Sequence, residues 1–390
     1  MFYLGIDVGK HSHSLCLLQE DGQRSIWQID NSKEGFNSLA TRLKDIDHSM
    51  FLVGMEATGH YFLNLYQFFL EKGFDSEQLA LLNPLQVKAF RNTNLRGAKS
   101  DNIDAERIAT LLRFGDFQRC NVSINKMMDL RQLTRLRYGL VSSSSDLKRR
   151  IIAVLDRIFP EFGKIFENKL GKTALALIEE YPFPENLASL SLNKLKAIVK
   201  SLSKRGISDK KIEALHYSAS NSIGIGFGKY GFRVELDVLL VHFSVLQQQI
   251  NVVEKKIKSI MEDIDTQLLT IPGLGLITGA TILSEIGNID NFSSAVKLIA
   301  FAGLDPKLKE SGSYQGRTPI SKRGSKYLRS AIWYSAMVAC RVEPSFKQKY
   351  QERKDNGKSH RYCITAAANK LTKVIYHVLK NNCSFQTDLL

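Results

Sequence analysis

The sequence lacks the cysteine pattern that a disulfide scaffold or a zinc ribbon requires. Its five cysteines, an odd number, are widely scattered without a C-x-x-C pair, which favours reduced thiols in a cytosolic protein. It also lacks a basic and then apolar segment at its start, so no signal peptide is expected. The longest uncharged stretch, residues 266–284, is interrupted by Pro272 and several glycines and is too short to span a bilayer. We therefore expect a cytoplasmic protein without a membrane partner.

Acidic residues are too few to balance the basic ones. The 390 residues include 54 Lys and Arg against 39 Asp and Glu, a formal net charge of +15, in an otherwise globular composition with 44% hydrophobic residues. Residues 305–390 carry 17 basic and 6 acidic side chains, whereas residues 1–120 carry 13 and 15. The sequence therefore predicts a polyanion partner such as nucleic acid for the C-terminal part. The acid-rich N-terminal part is typical of a cation site.

Residues 1–120 alternate between short β-type runs and amphipathic helical runs. Three strand-like runs follow one another, and strand–helix alternation comes next, which predicts a mixed sheet flanked by helices. The rest of the chain is predicted to be all-α. The predicted fold class is therefore α/β plus all-α.

Two long helices are predicted between residues 121 and 265. From Leu239 to Ile264 the apolar residues follow alternating steps of four and three, which is heptad spacing, and Leu140 to Ile158 has similar spacing. The two segments are expected to pair as an antiparallel hairpin. Either this hairpin only connects two domains, or it is a coiled coil that also joins protomers. Residues 160–232 are predicted to form small helices.

The segment LLTIPGLGLITGATILSEIG opens the last part of the chain. Pro272, Gly273 and Gly275 predict a tight turn between two helices, a helix–hairpin–helix, whose backbone amides could meet a phosphate. The alternative is a turn that serves packing alone.

Four carboxylates occupy positions typical of a metal site. Asp7 ends the first predicted strand and Glu56 ends a later buried strand. Asp101 and Asp104 lie three residues apart at the start of a helix, so they share one face. Such hard oxygen ligands can hold two divalent cations roughly 3.5–4 Å apart for phosphoryl transfer. The alternative is structural, since Asp101 could simply cap its helix.

The Asp-x-Gly after the first strand also occurs in sugar kinases and Hsp70-like ATPases. Those proteins need a second phosphate loop and a glycine-rich adenosine loop. The sequence has no Gly-Gly pair and no second Asp-x-Gly after a predicted strand, so an ATPase is disfavoured.

A serine and a group of cations lie together within residues 301–333. A hydroxyl on the small turn Ser311-Gly312-Ser313, among fixed cations, suits attack on a phosphodiester or binding of one. An ordinary loop serine and a solvated basic helix face are the alternatives. The candidate nucleic-acid-binding cations are Arg317, Lys322, Arg323, Lys326 and Arg329.

Five blocks of the sequence together resemble one protein family. GIDVGK, GMEATGHY, KSDNIDAERIA, IPGLGLITGATILSEIG and ESG…ISKRGSKYLR occur in the order seen in the DEDD transposases, the IS-one-ten and Piv-invertase group of bacterial insertion sequences. The resemblance extends from Met1 to about Asn381 and is weakest over residues 160–232. One block alone is modestly specific, whereas five in order are highly specific.

The resemblance implies a RuvC-like N-terminal domain of the ribonuclease H type, in which the four carboxylates are catalytic and bind Mg²⁺, or Mn²⁺ in its place. It implies a C-terminal transposase domain whose serine forms a covalent phosphoserine intermediate with DNA. The family motif maps to Ser311, with Ser313 as a close competitor. It also implies a structured guide RNA, composite sites built by two protomers, and dimerisation through the heptad helices.

We therefore expect three domains: residues 1–120, RuvC-like; 121–265, a coiled-coil linker; and 266–390, the transposase domain. The expected function is a Mg²⁺-dependent site-specific recombinase that moves a bacterial insertion sequence. It would act as a homodimer or homotetramer on donor and target DNA duplexes, with an RNA partner, in the cytoplasm at the nucleoid. The alternatives are a RuvC-like junction nuclease that uses water, and a non-enzymatic nucleic-acid-binding protein with structural carboxylates.

Overall fold

The chain divides into two compact units. One contains Met1–Ile124 with Gly287–Ser293, and the other contains Asn125–Ile286 with Ser294–Leu390. The predicted division of the second unit at residue 265 stays a prediction. The computed structural model describes residues 1–44, 46–56, 61–82, 86–87, 90, 101–117, 126–203, 206–307, 310–311, 314–315 and 319–387.

A five-stranded mixed sheet forms the centre of the first unit. The strands are β1 (Phe2–Val8), β2 (Ser12–Gln19), β3 (Arg24–Asp30), β4 (Phe51–Glu56) and β5 (Leu79–Leu82). Their spatial order is β3-β2-β1-β4-β5. The first three strands pair antiparallel, whereas β4 runs parallel to β1 and β5 runs parallel to β4. The mixed sheet predicted from the sequence is therefore confirmed.

Helices cover both faces of this sheet. They are α1 (Lys33–Leu43), α2 (Phe62–Glu71) and α3 (Asp101–Phe114). The unit also contains short 3₁₀ helices at His48–Met50 and Ile289–Asn291. On one face, Leu4 and Ile6 of β1 join a buried core with Leu39 of α1 and Leu65 of α2. On the other face α3 packs on the strands, and β5 reads as the uniform apolar run LALL because both of its faces are buried.

Glycine lets α3 approach β1 closely. A Cβ on Gly5 would collide with the backbone of α3 at Ala105 and Ala109. Cys16 of β2 and the two alanines form a small buried cluster at this crossing. Burial raises the pKa of the Cys16 thiol to about 11, so it packs as a small apolar group.

Over its described residues the second unit is mostly helical, as predicted, with a hairpin of two-residue strands, β6 (Glu310–Ser311) and β7 (Tyr314–Gln315). A 3₁₀ helix lies at Gln267–Thr270. The α-helices are α4 (Lys126–Ile158), α5 (Phe162–Ile165), α6 (Lys172–Glu180), α7 (Pro184–Ala188), α8 (Leu192–Leu202), α9 (Asp209–Ser220), α10 (Lys229–Glu262), α11 (Leu276–Ile286), α12 (Ala295–Ala302), α13 (Lys326–Val342), α14 (Pro344–Asp355) and α15 (His360–Asn381).

The long helices α4 and α10 pack against each other in opposite directions. Most of the predicted heptad positions of α10 are buried, although Ile264 lies beyond the end of the helix. The predicted antiparallel pair is therefore present, and α5 to α9 are the small helices expected between its two members. The side-chain contacts that define the direction are Lys126 to Asp263, Arg137 to Glu254, Ser144 to Gln247 and Arg157 to Glu235.

By length and composition alone, α10 could cross a membrane, with a mean hydropathy of 1.2 over its most apolar window. A third of that window is buried inside the protein. A single helix of this kind is weak evidence of a membrane span, because a long helix that packs in a protein core can have the same length and composition. Here α10 contributes Leu236, Leu239 and Phe243 to a core with the end of α4 and the small helices.

The Pro-Gly turn before α11 packs directly on α13. The element before the turn is the 3₁₀ helix Gln267–Thr270, not the α-helix that the helix–hairpin–helix prediction requires. Gly273 has a φ of +89°, and a Cβ there would lie 2.6 Å from the Ser335 carbonyl oxygen and the Ala339 nitrogen. The Gly275 amide donates to a threonine hydroxyl of α11. The structure therefore favours the packing alternative.

Candidate active site

Strands β1 and β4 bring two of the predicted carboxylates to neighbouring strand ends. The strands are parallel and pair Ile6 with Met55, so the next residues in register are Asp7 and Glu56. Asp7 is the penultimate residue of β1, and Glu56 is the last residue of β4. Adjacent strands lie about 4.8 Å apart, so Asp7 and Glu56 lie next to each other at the same edge of the sheet.

Both carboxylates lie on the face of the sheet that α3 covers. Gly5 touches the α3 backbone, and a Cβ on Gly54 would lie 2.7 Å from Leu112 of α3. Side chains two residues apart on a strand share a face. Asp7 therefore lies on the face of Gly5, and Glu56 lies on the face of Gly54.

The first turn of α3 carries the other two predicted carboxylates, in different environments. Asp101 is exposed, whereas Asp104 is buried, with 4% of its surface accessible. Asp104 precedes Ala105, whose backbone lies against Gly5 of β1. Because α3 and β1 approach each other closely at this glycine, Asp104 is buried between α3 and the sheet, on the face of the sheet that carries Asp7.

Arg107 forms an ion pair with Asp104 that the sequence analysis did not predict. Its Nη1 lies 3.0 Å from Asp104 Oδ1, and the two side chains are 14% and 6% exposed. The i, i+3 spacing within DNIDAERIA was the available signal, because residues three apart on a helix are neighbours. Ser14 was also missed: it is buried opposite Asp7 in the β1–β2 register.

The donor chemistry of these residues fits a hard divalent cation, because all four predicted ligands are carboxylates. Their placement at two strand ends and one helix start fits as well. Over the described ranges, however, no three Asp, Glu, His or Cys side chains come close enough to hold a metal ion together. In this arrangement the guanidinium of Arg107 supplies the positive charge beside Asp104.

The predicted serine belongs to the second unit, on the β6–β7 hairpin. Ser311 ends β6 and pairs antiparallel with Tyr314 of β7. Ser313 and Arg317 lie outside the described residues.

The other predicted cations surround the start of α13. Lys322 and Arg323 are exposed, and Lys322 has a φ of +55°, in the left-handed region that L-residues seldom adopt. Lys326 lies over the rings of Tyr138 and Tyr327. Arg329 is different: its guanidinium donates to a backbone carbonyl at 3.0 Å and is partly buried. These four residues therefore divide into three cations at the surface and one that holds the loop.

A hydrogen-bond network fixes the start of α13. The Ser325 hydroxyl caps the helix by accepting the Leu328 amide at 3.1 Å, and it donates to Glu285 of α11. Gly324 lies so close to the Phe301 carbonyl that a Cβ would not fit. The loop that carries Lys322 and Arg323 is therefore fixed at Gly324 and at Ser325, where α13 begins.

Comparison with known proteins gives one consistent result. A family model described as "Transposase" matches residues 4–160, and one described as "Transposase IS116/IS110/IS902 family" matches residues 265–351. The chain is 25% identical to an insertion element IS900 uncharacterized 42 kDa protein of Mycobacterium paratuberculosis, over 98% of this chain and 96% of that protein.

Two further relatives are similar along most of their length. A pilin gene-inverting protein of Moraxella bovis is 23% identical over 98% of this chain and 97% of its own. A transposase for insertion sequence element IS1111A of Coxiella burnetii is 24% identical over 96% of this chain and 89% of its own. The two matched segments contain all the predicted carboxylates and the serine.

Proposed function

The chain belongs to the IS110 family of transposases, enzymes that act on DNA, and from that premise we propose that it is a Mg²⁺-dependent recombinase with a serine nucleophile. The observation that carries the metal-dependent part is the placement of Asp7 and Glu56. They end adjacent parallel strands and lie on the face covered by α3, whose first turn adds Asp101 and Asp104.

The first unit would then be a RuvC-like domain of the ribonuclease H type. Its sheet supports this, because three antiparallel strands are followed by two parallel ones in the order β3-β2-β1-β4-β5. The carboxylates end central strands of that sheet. In open sheets, ligands bind beyond the carboxyl ends of the strands, where the direction of the connections changes.

Asp7, Glu56, Asp101 and Asp104 would hold Mg²⁺, and Mn²⁺ accepts the same oxygen ligands. When bound, the ion supplies positive charge to the scissile phosphate and to the departing oxygen. The carboxylates would hold the ion from rigid elements, because the sheet fixes Asp7 and Glu56 and the helix packed on the sheet fixes Asp104.

Ser311 would be the nucleophile of the strand-cleavage step. Its Oγ loses the hydroxyl proton and forms a bond to the phosphorus of one phosphodiester, while the bond from phosphorus to the 3′ oxygen breaks. The 3′ oxygen leaves and takes up a proton, so the product is a phosphoserine linkage and a free 3′-hydroxyl. Reversal of the step with a new 3′-hydroxyl rejoins the strands without an external energy source.

The cations around the start of α13 would hold backbone phosphates. Lys322 and Arg323 are exposed on a loop whose turn and exit are fixed, and Lys326 is one turn further on. Fixed cations bind phosphate at a smaller entropic cost than mobile ones. Arg317 completes the proposed set from the sequence, and Arg329 would act by holding the loop in place.

A row of exposed valines on α10 supports an oligomer. Each of the five valines is between 44% and 61% exposed, and their steps of four, three, four and seven put them on one face of the helix. A groove of about 540 Å³ between α4 and α10 borders the row. A second copy of this helix pair would cover such a face, as a homodimer or a pair of dimers. The valines are Val234, Val238, Val241, Val245 and Val252.

The proposal includes two DNA duplexes, a donor and a target, and a structured guide RNA. The high net charge supports polyanion partners of both kinds. The bacterial cytoplasm, at the nucleoid, is the compartment where such partners meet. The free thiols of the described cysteines agree with a reducing compartment.

The test is a denaturing gel of end-labelled element-junction DNA, incubated with protein, Mg²⁺ and RNA transcribed from the element flank. Wild type is expected to give a protein-linked DNA band, because the phosphoserine bond survives denaturation. Ser311→Ala and Asp7→Asn are expected to lose the band, whereas Ser313→Ala keeps it. Asp116→Asn removes an exposed carboxylate of the same unit and serves as the control for charge loss.

The outcomes separate the three functions considered. Cleavage without linked protein, unaffected by Ser311→Ala, would mean a nuclease that uses water. DNA binding that is unaffected by Asp7→Asn, with no cleavage in any variant, would mean a binding protein. A band lost in Ser313→Ala and kept in Ser311→Ala would move the nucleophile by two residues.

A further inference from the structure

Two tyrosines from different helices meet beside the start of α13. The rings of Tyr138, on α4, and Tyr327, on α13, lie edge to face, with their centres 5.1 Å apart and their planes at 83°. Tyr138 is 39% exposed, whereas Tyr327 is half-buried. Edge-to-face contacts between aromatic rings are favourable. Tyr327 therefore orients the ring of Tyr138, while part of Tyr138 stays open to solvent.

Two cations lie over these rings. Lys326 Nζ is 5.0 Å from the centre of the Tyr327 ring and 5.9 Å from the centre of the Tyr138 ring. The guanidinium carbon of Arg135 is 4.9 Å from the centre of the Tyr327 ring. Lys326 is exposed, so its ammonium group meets solvent beside the aromatic pair. We call Tyr138, Tyr327 and Lys326 the α4–α13 aromatic site.

The two helices that form this site are tied to each other. Glu285 of α11 accepts hydrogen bonds from Arg135 of α4 and from the hydroxyl of Ser325, which caps α13. One carboxylate thus joins the helix that carries Tyr138 to the first turn that carries Lys326. A site whose parts are fixed before binding loses less entropy when a ligand arrives.

Open space follows Tyr138 along α4. The next residue is Gly139, in the interior of a helix that runs from Lys126 to Ile158. A glycine inside a helix is less favourable than an alanine, and no atom of the described residues lies within 4 Å of the place where a Cβ on Gly139 would be. Packing within the described part of the chain therefore does not require this glycine. A ligand that passes close to the helix backbone would require it.

We propose that the α4–α13 aromatic site stacks an unpaired base of a single-stranded nucleic-acid segment, and that the backbone of this segment crosses α4 at Gly139. Aromatic rings beside cations are typical of single-strand sites, where every base offers a flat face for stacking. Lys326 is placed to bind the phosphate next to the stacked base. In a duplex the bases cover one another, so the site distinguishes single strands from duplexes. The inference rests on the proposed function only in taking nucleic acid as the ligand.

The test measures the affinity of the full chain for labelled oligothymidylate and oligouridylate by fluorescence anisotropy, without Mg²⁺. Tyr138→Ala should weaken binding of one or both strands by at least about 5-fold, which corresponds to about 1 kcal/mol for one stacked base. The strand with the larger loss identifies whether the site takes DNA or RNA. Affinity for a random-sequence duplex of equal length should not change. Tyr138→Trp should keep the wild-type affinity, because an aromatic face remains.

Stacking and phosphate binding differ in their dependence on salt. Between 50 and 200 mM salt, Tyr138→Ala should lower the single-strand affinity without changing the slope of log K against log salt, because a neutral ring releases no counterion. Lys326→Gln should reduce that slope by about 0.7, the value for one phosphate contact on a single strand. A changed slope in Tyr138→Ala would mean that the tyrosine acts only by holding the cation.

Gly139→Leu separates binding from folding. Leucine favours the helix, so this variant should raise the thermal midpoint of unfolding by about 2 °C. It should also weaken single-strand binding, because the new side chain blocks the path across α4. A glycine that serves only the fold cannot give both results. An unchanged single-strand affinity would contradict the path over Gly139.

Tyr217→Ala is the matched control, because it removes a 71% exposed tyrosine from α9 of the same unit. It should keep the wild-type affinity for both single strands and for the duplex. Equal affinities of wild type and Tyr138→Ala for both single strands would overturn the proposal, as would an equal loss for the duplex or in the Tyr217 variant. Formation of the protein-linked band with Mg²⁺ reports separately on the proposed function.

Discussion

Arg135 of α4 and Glu285 of α11 form a two-pronged ion pair in which the carboxylate is buried and the guanidinium is partly exposed. Arg135 Nε lies 2.6 Å from Glu285 Oε1, and Nη2 lies 3.0 Å from Oε2. The Ser325 hydroxyl donates to the same carboxylate at 2.8 Å. Burial alone would lower the pKa of Arg135, but the hydrogen bonds and the charge of Glu285 outweigh it and raise that pKa. One carboxylate thus joins the long helix α4 to the start of α13.

Arg135→Gln should destabilise the protein by about 3 kcal/mol, because it leaves a carboxylate in the interior without a counter-charge. The Glu285 side chain is 2% exposed in the folded protein, and apart from Arg135 its carboxylate accepts from the Ser325 hydroxyl. The free energy of unfolding in urea measures the effect.

Arg137→Gln is the matched control, two residues along the same helix. Its partner Glu254 is 33% exposed and remains solvated, so the expected loss is about 0.5 kcal/mol. Similar losses for both variants would show that the burial of Glu285 does not matter. The double variant Arg135→Gln, Glu285→Gln should recover part of the stability, because no buried charge remains.

Gly273→Ala should destabilise the second unit by about 2 kcal/mol, since the new Cβ meets the α13 backbone at a positive φ. Thermal unfolding followed by circular dichroism would measure it. Gly275→Ala adds the same methyl group where the nearest atom is 4.0 Å away, and it should be close to neutral. If the two variants unfold alike, the turn does not pack as described.

Arg107→Gln should raise the affinity of the DNA-free protein for Mn²⁺ by about tenfold, because it removes a positive charge that competes for Asp104. Calorimetric titration with the metal alone gives the affinity without any catalytic step. Arg113→Gln, in the exposed last turn of the same helix, should leave it unchanged. An unaltered or weaker affinity in Arg107→Gln would mean that Asp104 does not bind the ion.

His13 of β2 should make the first unit sensitive to acid. Its ring is fully buried against Phe36, and burial lowers its pKa below the ordinary 6.5, against a smaller opposing effect of Asn31. Above pH 6.5 both the folded and the unfolded chain hold a neutral ring. As the pH falls below 6.5 the unfolded chain binds a proton that the folded chain excludes, so the free energy of unfolding falls.

His13→Phe should remove this loss. Between pH 7.5 and 5.5, wild type should lose more stability than the variant, by at most about 1.4 kcal/mol, the limit set by the unfolded pKa of 6.5. Urea unfolding at the two pH values, followed by the fluorescence of Trp27 in a Trp333→Phe background, reports on this unit. A parallel fall in both proteins would show that other groups cause the acid sensitivity.

Local pattern predicted the sheet and the long helices well, and it did so for physical reasons. The run FLVGME is apolar because β4 is covered on both faces, and the heptad steps of α10 follow from its seam with α4. Pairs distant in sequence have no such pattern. Nothing near Arg135 points to Glu285, because only the packing of α11 on α4 brings them together.

The candidate site was predictable by residue type but not by arrangement. Strand-end position identified Asp7 and Glu56, and their adjacency needed the parallel register of β1 and β4. The burial of Asp104 beside Arg107 depends on the close approach of α3 to Gly5. Helix and strand propensities describe single residues and do not predict such packing between elements. At the Pro-Gly turn the motif predicted a helix–hairpin–helix, whereas the structure shows a turn whose Gly273 packs against the α13 backbone.

The antiparallel pairing of α4 with α10 sets an order of events during synthesis. Ile158 ends α4, and about 100 residues must still be made before α10 is complete at Glu262. At a synthesis rate of about 5–20 residues per second, the apolar residues of α4 that pack on α10 stay without their partner for roughly 5–20 s. During that interval the nascent chain exposes a surface that chaperones recognise, so the yield of folded protein should depend on them more than its final stability does.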